Sequence, residues 1–180
     1  MQYAHAMGAK ILEFHFTDSR DNKTFRDHKV SLTNLVSNLG VVGSDVTGVG
    51  TIRKSLAAAR YGTDKAIFGY GTGSSLFSLT NLVSNTGVVS SDVSGVGTAR
   101  RRLAAAGYGG DKAIFAYGNT DSKVSMSNLV NNSGVVATDT TGVGTARNQV
   151  GSTKYGSTGQ ALFAFGNTGS VTNLSNLVSS

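Results

Sequence analysis

The chain is 180 residues long, enough for one domain or two small ones, and carries 16 Lys and Arg against 10 Asp and Glu, a formal charge of +6. It has 24 Gly but no Cys, Trp or Pro, which excludes a disulfide framework, a thiolate metal site and a cysteine nucleophile. Only 14% of residues are charged, against about 25% in an ordinary globular domain, so the surface is made of Ser, Thr, Asn and Gly; no apolar run reaches the length of a membrane-spanning helix.

In chain order, Met1-Gln2-Tyr3-Ala4-His5-Ala6 shows neither the basic start nor the apolar run of a secretory leader, so a chain without an export signal is expected. Ile11 to Phe16 reads as a strand, and a loop insertion follows at 18–29. The insertion holds seven of the 26 charges: Asp18, Arg20, Asp21, Lys23, Arg26, Asp27 and Lys29. Next comes Thr33-Asn34-Leu35-Val36-Ser37-Asn38, and this phrase repeats. Asn34, Asn81 and Asn128 are spaced by 47 residues, and Asn176 lies 48 beyond Asn128. Val41, Val88 and Val135 keep the same step, as do Arg53, Arg100 and Arg147, and Tyr61, Tyr108 and Tyr155. The chain therefore divides into four units, 1–48, 49–95, 96–142 and 143–180, within a single repeat domain.

Inside a unit the apolar period is two, which predicts strands. In the third unit they fall at 100–108, 112–117, 123–130 and 134–139, separated by Gly-rich or Asn-rich breakers such as Tyr108-Gly109-Gly110-Asp111. Ala104-Ala105-Ala106 is too closely followed by glycines to start a helix and suits a crowded inner strand. The last unit has three such strands. The expected fold is all-β and β-propeller-like, with four antiparallel strands in each blade-like unit and three in the last.

Each candidate for chemistry has a plainer reading beside it. His5, His15 and His28 are spaced by 10 and 13, which matches no short metal-ligand motif. No metal or cofactor is expected, and a hydrolase using Glu13, His15 and neighbouring carboxylates of residues 1–29 is the enzyme alternative. Gly48-Val49-Gly50-Thr51 and its copies lack the Lys of a phosphate loop. The recurring Arg53, Arg100 and Arg147, with the recurring Asp45, Asp92 and Asp139, read as scaffold, each arginine pairing with the acid across the same turn. In Arg100-Arg101-Arg102, strand alternation sends Arg101 opposite to the other two. Charge is spread as +1, +2, +2 and +1 over 1–30, 31–77, 78–124 and 125–180, unlike a nucleic-acid footprint. Tyr61, Tyr108 and Tyr155 are expected to pack between units.

The copies differ mainly after the second strand, at 72–79, 119–126 and 167–174, and just after the recurring arginine, at 54–55, 101–102 and 148–149. In a four-stranded antiparallel unit these segments share one end. A binding face is therefore expected, carried by Lys54, Ser74, Ser75, Arg101, Arg102, Asp121 and Lys123, with Arg20, Lys23 and Arg26 of the insertion beside them.

The order Arg, small-apolar strand, then Gly-Asp-Lys-Ala-Ile-Phe-Ala-Tyr-Gly resembles a Kelch-type blade. It departs from that pattern in Tyr70-Gly71 and Tyr117-Gly118, which stand where paired glycines occur, and in lacking Trp. The wording Thr-Asn-Leu-Val-Ser-Asn, Gly-Val-Gly-Thr-Ala-Arg and Leu-Ala-Ala-Ala is similar to repeat proteins of tailed bacteriophages, cyanophages among them. That resemblance implies a non-catalytic structural component of the virion surface or tail. Such a protein would dock to other virion proteins, to itself as a homo-oligomer, or to a host surface glycan, with no nucleic acid and no membrane. A glycan-binding adhesin is the alternative.

Overall fold

The computed structural model of the chain describes residues 11–13 and 32–179, and of Ile11–Glu13 and Leu32 the backbone alone. The described residues contain no helix and fall into four small antiparallel sheets, one per repeat unit. The first sheet is β1 (Ile11–Glu13), β2 (Leu32–Val36) and β3 (Val46–Thr47); the second is β4 (Ala57–Tyr61), β5 (Lys65–Gly69) and β6 (Thr80–Val83). The third is β7 (Ala104–Tyr108), β8 (Lys112–Ala116) and β9 (Ser127–Val130), and the fourth is β10 (Gly151–Tyr155), β11 (Gln160–Ala164) and β12 (Ser175–Val178). The registers repeat: Ala59 faces Ile67 and Ile67 faces Leu82, as Ala106 faces Ile114 and Ile114 faces Leu129.

The strands are shorter than the alternating pattern suggests. The first strand of the third unit begins at Ala104, not at Arg100, because Arg102 takes a left-handed backbone at φ 55° that breaks the ladder. The same break falls at Ser55 and Gln149, at φ 56° and 55°. It also overturns the expected alternation along Arg100-Arg101-Arg102: Arg100 is buried, whereas Arg102 is exposed. The fourth strand of a unit is joined by isolated bridges, Val83 to Val89 and Thr80 to Val93 in the second unit, Val130 to Val136 and Ser127 to Thr140 in the third.

Neighbouring units meet through their first strands, β4 against β7 and β7 against β10. Small side chains allow this approach, with Ala104 and Ala106 each 5% exposed. Backbone bonds stitch the units further: Gly62 N–H donates to Asp111 O and Gly109 N–H to Gly159 O, both at 2.7 Å. One apolar cluster, with Ile67, Tyr70, Phe115 and Val130, fills the space between the second and third units. Another, with Ile114, Tyr117, Ala161 and Phe163, fills that between the third and fourth. Both faces of β5 and β8 are covered, since Ile67, Phe68, Ile114 and Phe115 are all buried. Tyr61 is buried as the packing argument requires, but Tyr155 is exposed.

Two glycines with the same backbone test how tightly the turns are held. Gly40 has φ +78° with nothing within 4 Å of an added Cβ, while a Cβ on Gly97, at φ +75°, would lie 2.5 Å from Asn128 Nδ2 and press on the Asp139 carboxylate. Gly40→Ala is expected to cost about 1 kcal/mol, the left-handed strain alone. Gly97→Ala is expected to cost clearly more, because buried groups must also move; urea unfolding of both variants measures the difference.

Candidate functional site

Two sets of polar residues stand out, one buried and one on the surface. The buried set is centred on the recurring arginine. Arg100 Nε donates to Tyr117 O at 2.9 Å, Nη1 to Thr98 O at 3.1 Å and Nη2 to Asn128 Oδ1 at 2.7 Å. Arg53 repeats this with Tyr70 O, Thr51 O and Asn81 Oδ1. The acid closes the network: Asp139 accepts from the Thr98 N–H at 3.0 Å, the Thr98 hydroxyl at 2.6 Å and Asn128 Nδ2 at 3.0 Å. Asp92 does the same for Thr51 and Asn81.

The pairing differs from the one expected across the turn. Arg53 faces Asp92 at 3.5 Å and Arg100 faces Asp139 at 3.9 Å, each acid lying 39 residues downstream. The fourth strand returns to the start of its own unit, so long-range closure wins over proximity in sequence. Asp45 instead accepts from Asn34 Nδ2 at 2.8 Å.

The arginine also joins one unit to the one before. The Arg100 guanidinium lies 4.3 Å from the centre of the Tyr70 ring, and that of Arg147 lies 4.1 Å from Tyr117. Gly71 N–H donates to Arg100 O and Gly118 N–H to Arg147 O, at 2.9 and 3.0 Å. Tyr70 and Tyr117 hold left-handed backbones, φ 65° and 62°. Their contribution is not apparent from composition or spacing alone; the Tyr-Gly pair at a fixed step after Lys-Ala-Ile-Phe is the signal that marks it. Burial pushes the Tyr70 hydroxyl up to about 12, so it stays protonated and donates to Val96 O at 3.1 Å. Burial lowers Arg53 and Arg100 from the ordinary arginine range, opposed by Asp92 for the first and by Tyr70 and Asp139 for the second. For Asp92 and Asp139 burial works upward, but hydrogen bonds from Thr and Asn and the nearby arginine hold both carboxyls below the ordinary value.

The surface set is the face where the repeats differ. Lys54 bridges Thr72, Arg101 bridges Asn119 and Asn148 bridges Asn167, so the segment after each arginine lies beside the loop after the second strand. A backbone chain links the three units here, with Arg102 N–H donating to Ser55 O at 2.8 Å and Gln149 N–H to Arg102 O at 2.9 Å. Lys54, Ser74, Ser75, Arg102 and Asp121 are exposed, and Arg101 and Lys123 are half-buried. Two buried side-chain atoms on this face, Arg101 Nε and Asn148 Oδ1, have no hydrogen-bond partner. Arg20, Lys23 and Arg26, the insertion 18–29 and the three histidines lie outside the described residues, and of Glu13 the backbone alone is described. Among the described residues no group of three or more His, Cys, Asp or Glu could hold a metal ion.

No protein-family description and no curated protein matches the chain. Its fold is similar to that of the solved structure of YjhT, with a TM-score of 0.61 at 13% sequence identity. The likeness covers 82% of this chain and 48% of that one, so the chain spans about half the length of YjhT.

Arg100→Lys is expected to destabilise the protein by about 3 kcal/mol, because an ammonium cannot span Tyr117 O, Thr98 O and Asn128 Oδ1 together. Thermal unfolding measures it, and a cycle with Asn128→Ala should show non-additivity. The depressed Asp92 and Asp139 carboxyls stabilise the fold above the ordinary carboxylate value, and this contribution is lost as pH falls through their lower folded-state values. Stability should therefore drop below about pH 4, and Asp92→Asn with Asp139→Asn should flatten that acid limb in a pH series of unfolding curves.

Proposed function

We propose that the chain is a non-catalytic interaction protein built as a propeller-like array of Kelch-type units, and that it serves as a surface or tail-associated component of a bacteriophage virion. The observation that carries the reading is the division of labour among polar residues. In the second and third units the recurring polar side chains are tied into the arginine network, whereas those that differ between copies gather on one face. The first strands lying side by side, β4, β7 and β10, support the blade-like arrangement. The phage assignment rests on the wording of the repeats.

The face suits docking to protein more than catalysis. It presents Lys54 and Arg102 as exposed cations beside the exposed Ser74 and Ser75, and is held by backbone bonds between the segment after each arginine and the loop after the second strand. The partner is another virion protein offering acidic or carbonyl acceptors.

Lys54→Glu with Arg102→Glu should leave thermal stability within about 0.5 kcal/mol and weaken incorporation into particles at least tenfold, read by immunoblot of purified virions. Absence of the wild-type protein from virions would overturn the location. Contacts in particle images confined to the opposite turns, 62–64 and 109–111, would overturn the face.

A further inference from the structure

Arg100 and Arg101 are neighbours in sequence with opposite fates. Arg100 gives its guanidinium to three acceptors and faces Asp139. Arg101 is half-buried, yet among the described residues its guanidinium meets no acceptor and no carboxylate, and its Nε is buried without a partner. No contact among the described residues accounts for a charge at this place.

The backbone shows what stands beside it. Arg101 and Asn119 exchange both N–H···O bonds, at 2.9 and 2.8 Å, and Asn119 is bridged on its other side by Lys123. The three residues therefore lie abreast on a short antiparallel ladder. Directly opposed side chains leave such a ladder on the same face, so the two cations flank an amide. They stand two strand spacings apart, roughly 10 Å between backbones, a gap that both long side chains can close over Asn119. The turn from Asn119 to Lys123 is tied by the Thr120 N–H to Ser122 O at 2.9 Å and by the Thr120 hydroxyl to the same oxygen at 3.2 Å. Asp121, at its tip, is exposed and forms an ion pair with neither cation.

The neighbouring units make the same ladder without the charges. The second has Lys54, Thr72 and Leu76, and the fourth has Asn148, Asn167 and Val171. Of these three units the third alone sets a cation on each side of a hydrogen-bond donor. Two like charges on one face with no acid between them repel, and an incoming anion relieves that repulsion.

We propose that Arg101, Asn119 and Lys123 form a carboxylate-binding site, and that it anchors an acidic side chain of the docking partner. The Arg101 guanidinium takes both oxygens of the carboxylate through its planar fork. Lys123 supplies a second positive charge, and Asn119 Nδ2 donates from the ladder. With Asp121 beside them the two cations leave one net positive charge, which matches a carboxylate better than a doubly charged phosphate. The site rests on the docking reading of this face and deepens it, by naming the third unit as the place where the partner is held. Lys54 and Arg102 add to the surrounding positive field, which draws an acidic partner in.

The test uses the intact chain and two capped tripeptides, Gly-Glu-Gly and Gly-Gln-Gly, with binding followed by amide chemical shifts. The glutamate peptide should move the signals of Arg101, Asn119 and Lys123, the glutamine peptide should not, and added salt should weaken the effect. Arg101→Gln should weaken binding about tenfold or more and Lys123→Gln several-fold. Lys54→Gln should leave it within about twofold. Lys123 makes no side-chain contact that holds the fold, so its variant keeps the test open if Arg101→Gln unfolds. Shifts spread evenly over the face, or binding indifferent to both substitutions, overturn the proposal. So does full incorporation into particles of a variant that no longer binds the peptide. The peptide reads the site and the virion blot of the wild-type chain reads the location, so the two readings fail by different results.

Discussion

A buried guanidinium on which five separate pieces of backbone and side chain converge is the constraint on which this fold depends. Taking that charge out of water is costly, and the cost is met only when its donors are satisfied and an acid stands near. Arg100 achieves this with the end of the second strand, its own leading strand, an asparagine of the third strand and an aspartate of the fourth. The same side chain lies on the tyrosine of the preceding unit. One residue therefore closes a unit and joins it to its neighbour. This explains why the spacing between copies is held so strictly: an inserted residue between arginine and aspartate would move an acceptor away from a charge that cannot do without it. The single insertion in the fourth unit, by contrast, falls in the turn after Tyr155-Gly156, outside the network.

The repeat, the strand periodicity and the scaffold role of the arginine are legible in the sequence because each is a local or strictly periodic signal. What is not legible is which copy of the acid each arginine meets. Asp45 and Arg53 are eight residues apart and look like partners across a turn, yet the true partner of Arg53 is Asp92. Only the return of the fourth strand to the start of its own unit decides this, and that is a property of tertiary closure. Strand ends fail for a related reason. The pattern at 100–108 alternates well enough for one strand, but Arg102 is held in a left-handed turn by its N–H to Ser55 O and its carbonyl to Gln149 N–H. Neighbouring units over-determine that conformation, and no propensity could announce it.

The variable face follows from the same geometry. Lys54, Arg101 and Asn148 each enter the structure through backbone N–H and C=O, paired with Thr72, Asn119 and Asn167. The ladder at these places is made by backbone groups, and side-chain identity differs between copies. The opposite circumstance holds for Arg53, Asn81 and Asp92, each of which uses its side chain at least twice, and for Thr51, which gives its hydroxyl to Asp92. The candidate site was thus readable in outline, as the positions where the copies disagree. The tyrosine platforms escaped because Tyr70 and Tyr117 look like a departure from a glycine pattern, when they are the surface on which the next arginine lies.

Directionality sets how the units meet. The junctions of the second unit with the third and of the third with the fourth each join a trailing surface, with its tyrosine ring and glycine N–H, to a leading surface carrying an arginine. Such a contact is heterologous, because the two surfaces that meet are different. In the fourth unit the leading side carries Arg147, which is buried against Tyr117 and meets no carboxylate among the described residues, and the trailing side carries the exposed Phe165 ring. Each of the two junctions is thus held by polar satisfaction as much as by apolar burial.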